Sequence, residues 1–98
     1  MKKIQEHLFT FLADFDGGTY VSQAIATNRK AGKKAWGEKF SQEILGLTSN
    51  GQKNFLERVE SEEEAPIEGL SGVWCFCPTE KKKVVIVHFV ETVNGKKL

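Results

Sequence analysis

The chain has 98 residues, which suits a single domain and leaves no room for a second one of ordinary size. It carries 14 Lys and Arg against 13 Asp and Glu, a net charge of +1, and 40% of its residues are hydrophobic. This balance excludes a strongly basic nucleic-acid binder and a polyanionic mimic on bulk charge alone. We expect one domain over residues 1–98, with flexible tails at 1–6 and 94–98.

The first segment predicts a β-hairpin. In residues 7–15, Phe9, Phe11, Ala13 and Phe15 share one face by a period of two, whereas Leu8, Thr10, Leu12 and Asp14 share the other. Asp16-Gly17-Gly18 is a turn signal, because glycine adopts positive φ without steric cost. Residues 19–27 are rich in β-branched and aromatic side chains and predict the returning strand.

A helix is predicted next, with Thr27 or Asn28 as its N-cap and Gly46 as its C-cap. Trp36, Phe40 and Ile44 recur every four residues and form its apolar stripe. A shorter helical pattern covers residues 52–60. Four carboxylates then fall within residues 60–64, so we expect residues 61–72 to form an exposed acidic loop.

A second hairpin completes the order. Its short strand spans residues 73–77 and stops at Pro78, and its long strand spans residues 83–93 after a turn at 79–82. The predicted fold is α+β, with the order β-β-α-(α)-β-β. It has an antiparallel four-stranded sheet, and the main helix packs on one sheet face.

The long strand is apolar on both faces. Val84, Ile86, His88 and Val90 alternate with Val85, Val87 and Phe89, whereas a sheet covered on one side should alternate apolar with polar. Three explanations are open: an internal cover made by the short helix and the loop, a subunit interface, or a ligand groove. Because a chain this small has few elements to spare, we predict a homodimer.

The residues expected to mediate association come from two places. The second hairpin contributes the larger group, and a polar cluster after the glycine turn contributes the rest. The set is Trp74, Phe76, Ile86, His88, Val90, Tyr20, Ser22 and Gln23.

The two cysteines are candidate metal ligands together with His88. Cys75 and Cys77 share a strand face but lie about 6.5–7 Å apart along it, which disfavours a disulfide between them. Cys-x-Cys on a strand lacks the spacing of structural zinc knuckles, so two small buried thiols are the favoured interpretation. Free thiols and the absence of a signal peptide or membrane-spanning segment predict a cytoplasmic protein without membrane contact.

Catalytic and nucleic-acid signals are weak. No serine lies in a nucleophile elbow, no Walker or dinucleotide motif exists, and Asp16 is placed as a turn residue. We therefore expect neither a catalytic residue nor a cofactor. Basic residues gather on the first helix, but the aromatic side chains fall in core-facing runs instead of beside them, which favours a solvated helix face over an RNA platform.

Residues 8–40 resemble the opening of short uncharacterised bacterial proteins. The shared features are the Gly-Gly-Thr-Tyr-Val-Ser-Gln turn and strand (17–23) and the Ala35-Trp36 pair in the following helix. The strand, glycine turn, strand and helix are also similar to the N-terminal domain of HicB-type antitoxins, which have a further strand before the helix. The first resemblance implies no activity, and the second implies an antitoxin-like, partner-binding role.

The sequence thus predicts a non-enzymatic, homodimeric protein-interaction module. Two alternatives stay open: an antitoxin-like or weakly RNA-binding module, and a ligand- or metal-binding protein that uses the second hairpin.

Overall fold

A computed structural model of the chain describes residues 6–92. The expected tails at 1–5 and 94–98, and the last residue of the long strand, Val93, lie outside the described residues. Glu6 is exposed and precedes the first strand.

The described residues form an α+β domain, as the sequence predicts. Two helices, α1 and α2, separate an N-terminal hairpin from a group of C-terminal strands. The elements in chain order are β1 (His7–Phe15), β2 (Gly18–Ala26), α1 (Arg29–Glu43), α2 (Ser49–Ser61), β3 (Ala65–Pro66), β4 (Val73–Phe76), β5 (Thr79–Glu80), β6 (Lys83–Val84) and β7 (Ile86–Thr92).

The main sheet is antiparallel and has five strands in the order β2-β1-β7-β4-β3, not the four predicted. The additional strand is β3, two residues within the stretch predicted to be a loop. Its Ala65 pairs with Cys75 of β4. Alternation cannot reveal so short a strand, because its pairing depends on a neighbour that lies far along the chain. β5 and β6 form a separate two-stranded ladder.

The long C-terminal strand is broken where the sequence predicts continuity. Val85 belongs to neither β6 nor β7, and its amide donates to the carbonyl of Pro78 at 2.8 Å. The alternation nevertheless continues through the break, since Val85, Val87 and Phe89 are all fully buried. The predicted turn at 79–82 narrows to Lys81 and Lys82, which both adopt positive φ.

Local capping fixes where the helices begin. Asn28 is the N-cap of α1, and its side chain accepts a hydrogen bond from the Ala31 amide at 2.8 Å. Thr48 caps α2 in the same way through the Gly51 amide. The C-terminal prediction is off by two residues, because α1 ends with Ile44 as its C-cap, and Gly46 lies beyond it at φ +60.

One aromatic core joins both helices to a single face of the sheet. Phe11 of β1 stacks between Phe89 and Trp36, with ring centroids 5.0 and 5.9 Å away. Trp36 stacks in turn on Phe40 at 4.8 Å. Phe55 of α2 lies within 6.2 Å of both helix α1 rings. Because α2 packs beside α1 on this face, neither helix covers the opposite face of the sheet.

Candidate interaction surface

The register of the strands defines which side chains share the second face of the sheet. Directly paired residues in antiparallel strands point to the same side. Leu12 pairs with Val21 on one side and with His88 on the other, and His88 pairs with Cys75. This surface is called the open face. It comprises Leu8, Thr10, Leu12, Asp14, Thr19, Val21, Gln23, Ile25, Ala65, Val73, Cys75, Ile86, His88, Val90 and Thr92.

No helix or loop among residues 6–92 covers the open face. Leu12 and Ile86, in the two central strands, are 39% and 42% exposed, and Val21 and Ile25 of β2 are 63% and 65% exposed. The internal cover considered from the sequence is therefore wrong. The short helix that was expected to supply it packs on α1 through Phe55 instead.

The open face is almost free of charge. Asp14 is its one carboxylate, it lies at the hairpin end, and the face contains neither Lys nor Arg. The outer sides of the helices differ sharply, since Lys34, Glu38 and Lys39 are all exposed there. Depletion of charge with retention of apolar side chains is the compositional mark of the buried centre of a protein interface.

Five polar side chains of the open face bond to one another, whereas the exposed His88 has no side-chain hydrogen bond within residues 6–92. Gln23 donates from Nε2 to the hydroxyl of Thr10 at 3.0 Å, and that hydroxyl lies 2.7 Å from the hydroxyl of Thr92. Thr19 donates to a carboxylate oxygen of Asp14 at 2.6 Å. Polar groups that already have partners lose less free energy when water is removed. The open face is therefore suited to burial against another apolar surface.

Strand geometry gives the size of the open face. Strands about 4.8 Å apart, with a rise of about 3.3 Å per residue, give the four longer strands a flat area of about 450 Å². Two such faces account for at least about 900 Å², before the relief of the side chains is added. Specific interfaces bury roughly 1,200–2,000 Å² in total, so the flat area of two faces lies below that range and the relief of the side chains must supply the difference.

The structure divides the predicted association residues between the two faces. Ile86, His88 and Val90 lie together on the open face, and Gln23 joins them. The remaining four residues point to the helix side. Phe76 is in the core, Trp74 stacks on Phe89 at 5.3 Å, Tyr20 packs edge-on against Phe40, and Ser22 pairs with the buried Phe11.

The association residues predicted from the sequence omit apolar side chains of the first hairpin, although the period-two pattern of the sequence contains them. Leu8 and Leu12 alternate with the buried phenylalanines of β1, so β1, like β7, is apolar on both faces. Val21 and Ile25 follow the same period on β2. What the sequence does not reveal is that β1 and β7 pair with each other, which merges the two apolar strips into one surface.

Cys75 and His88 are directly paired on the open face, and Cys77 follows β4. Both thiols are free. Among the described residues, no group of three or more His, Cys, Asp and Glu side chains has the arrangement to hold a metal ion. Burial raises the pKa of the Cys75 thiol, and the adjacent Cys77 raises it further. A raised pKa opposes thiolate formation and hence nucleophilic reactivity at neutral pH.

Two basic residues of α1, Arg29 and Lys33, form an ion cluster with Glu64. Lys33 is only 4% exposed, donates to the Glu62 carbonyl and to Glu64, and lies 4.8 Å from the ring centroid of Phe76. Arg29 donates to the other oxygen of Glu64 at 3.1 Å. The expectation of a solvated basic helix face is wrong at Lys33, which is buried, and that of an exposed acidic loop is wrong at Glu64, which is half-buried, whereas Arg29 stays exposed. Local patterns miss the cluster because its members are about thirty residues apart in sequence.

A cavity of about 400 Å³ near the start of α1 also gathers polar side chains. Its titratable groups other than Lys30 already have partners, since His7 lies 2.9 Å from Glu91 and Arg29 is bound to Glu64. The cavity therefore presents no unpaired set of groups that converge on a ligand.

A scan against protein-family models gives no match, and comparisons with curated proteins and with solved structures give none either. The resemblances noted from the sequence thus stay predictions. None of the described helices is long and apolar enough to span a membrane.

Proposed function

We propose that the protein is a homodimeric protein-interaction module in which the open faces of two copies pack against each other. The observation that carries the proposal is a sheet face with exposed Leu12, Val21, Ile25 and Ile86 and without Lys or Arg. Two sheets packed face to face bury such side chains in a layer about 10 Å thick. A second copy is the partner that supplies a matching face of the same size and composition.

Several features support this assignment over a ligand site. The face spans four neighbouring strands, and its hydrogen-bonded polar groups pair within the face instead of converging on one point. Cys75 is free and lies on this face, which favours a reducing environment such as the cytoplasm for the assembled protein.

Light scattering on purified variants tests the proposal. Wild-type protein should contain at least two copies per particle. Leu12→Glu and Ile86→Lys each place a charge in the middle of the face and should weaken association by at least about 100-fold, because the charge is buried without a partner. The matched control is Leu70→Glu, since Leu70 is 60% exposed in the loop between β3 and β4 and lies off the face.

Two outcomes would contradict the proposal. One is a wild-type particle with the mass of a single chain at every concentration. The other is an unchanged particle mass in both open-face variants, with circular dichroism confirming that they are folded.

A further inference from the structure

The two edges of the sheet are built differently. β3 forms one edge, is two residues long and contains Pro66, which has no amide hydrogen to offer. β2 forms the other edge, is nine residues long, and contains no proline and no charged residue. Proteins usually protect an exposed edge with short strands, proline or inward-pointing charge, because an unprotected edge invites another strand. β3 has two of these protections, and β2 has none of them.

The hairpin turn fixes which backbone groups of β2 are free. Asp16 and Gly17 have φ values of 49 and 84, which identify a two-residue type I′ turn closed by Phe15 and Gly18. The closing pair of such a turn exchanges two hydrogen bonds, and bonded pairs then alternate along the ladder. Even-numbered residues of β2 therefore bond to β1. The amides and carbonyls that point away from the sheet belong to Thr19, Val21, Gln23 and Ile25.

The outer side of β2 is accessible. Those four residues are all exposed, and no strand within the described part of the chain pairs with β2 other than β1. Helix α1 contacts β2 on the helix side of the sheet, where Tyr20 packs against Phe40, and a cavity of about 310 Å³ lies between Tyr20 and Lys39. An incoming strand would meet neither a charged side chain of β2 nor a covering helix.

We infer that β2 pairs antiparallel with β2 of a second copy, with Ser22 of both copies beside a two-fold axis. In this register Val21 faces Gln23 of the other copy, and Thr19 faces Ile25. It is the register in which all outward-pointing groups of both strands find partners, giving about eight backbone hydrogen bonds. The absence of charge in β2 means that self-pairing brings no like charges together.

Edge pairing is independent of the open-face contact and extends it. The edge contact joins two five-stranded sheets into one of ten strands, and the open faces then lie side by side on the same surface. If both contacts form, four copies associate as two continuous sheets packed on each other. Such a tetramer is a closed, symmetric assembly, as most homo-oligomers are.

A proline at Gln23 tests the edge contact. Proline is accepted in an edge strand where the amide faces solvent, so Gln23→Pro should remain folded while it removes one outward donor and blocks the approach of a second strand. Gln23→Ala is the matched control, because it removes the same side chain and keeps the amide. Ser22→Pro removes an amide that bonds to Phe11 and should unfold the hairpin. This result would check that the Ser22 amide points towards β1 and the Gln23 amide points away from the sheet.

Native mass spectrometry distinguishes the two contacts. Wild type and Gln23→Ala should be tetramers in which the edge contact joins two open-face dimers, whereas Gln23→Pro and Leu12→Glu should each be dimers and their combination a monomer. The edge contact is refuted if Gln23→Pro leaves the tetramer intact, or if wild type is a dimer that Leu12→Glu alone converts to monomers. A dimer that only Gln23→Pro dissociates would refute the open-face contact and support the edge contact. A monomeric wild type would refute both.

Hydrogen exchange gives a second test that needs no variant. The outward amides of Val21 and Ile25 have no strand partner within residues 6–92 of the same copy, so their exchange should slow by at least about tenfold when protein concentration rises through the association range. Rates for these two amides that do not depend on concentration would overturn the edge pairing.

Discussion

Replacing Lys33 with methionine probes the buried ion cluster. The side chain is 5% exposed, and its ammonium group donates to the Glu62 carbonyl and, at 3.1 Å, to Glu64. Methionine fills nearly the same volume without a donor. It leaves the Glu62 carbonyl without this partner, while Glu64 keeps Arg29.

The expected loss of unfolding free energy is about 2–3 kcal/mol. Charged hydrogen bonds contribute roughly 1.5–3 kcal/mol and the cation–π contact with Phe76 about 1 kcal/mol, whereas retained apolar burial offsets part of the sum. Since 1 kcal/mol shifts the Tm of a domain this size by roughly 4–8 °C, Tm should fall by about 8–24 °C.

Urea unfolding at one fixed protein concentration, followed by tryptophan fluorescence, measures this loss. Lys34→Met is the control, because Lys34 is the exposed neighbour in the same helix and its replacement should change the free energy of unfolding by less than about 0.5 kcal/mol. Equal stability of the two variants would show that Lys33 contributes no more than a surface lysine.

Acidification should narrow the difference in unfolding free energy between wild type and Lys33→Met. Burial raises the pKa of Glu64, but a backbone hydrogen bond and the bonds from Lys33 and Arg29 outweigh it and leave the pKa below its usual 4.5. A carboxyl group with a lowered pKa stabilises the fold above its unfolded-state value, and this contribution is lost as pH falls through its folded-state value. A free-energy difference that stays constant from pH 7 to below the pKa of Glu64 would contradict this coupling.

Two further substitutions test packing and capping. Gly32→Ala should lower stability by about 1–2 kcal/mol in thermal melts, because the new Cβ would lie 2.9 Å from the buried ring of Phe9. This clash outweighs the gain in helix propensity. A Tm equal to or higher than that of wild type would refute the prediction. Asn28→Ala should cost about 1 kcal/mol by removing the N-cap acceptor of α1, and Asn28→Asp should restore it, so equal losses in the two variants would argue against capping.

Sequence patterns located the parts of this fold that depend on near neighbours. The period of two identified both faces of β1, and the side chain of Asn28 marked the start of α1. The alternation in the last strand indicated two apolar faces, and the structure confirms that Val87 is buried while Ile86 on the other side is exposed.

What the sequence missed depends on contacts between distant residues. The short strand β3 exists because Ala65 pairs with Cys75, and the burial of Lys33 depends on Glu64 reaching back to α1. Local propensity contains no information on either contact. The sequence indicated a second apolar face only on the last strand, and the pairing of β1 with β7 extends that face over the first hairpin.

That pairing also orders events during synthesis. β1 leaves the ribosome before β7, and more than sixty residues separate the two strands, yet they lie side by side in the sheet, with Leu8 opposite Thr92. Until translation has passed Thr92, the phenylalanines of β1 cannot obtain their stacking partner Phe89. Long-range pairing of this kind slows folding. Between the synthesis of β1 and that of β7, the aromatic side chains of β1 therefore lack their neighbouring strand, and exposed apolar surface of this kind is prone to aggregation.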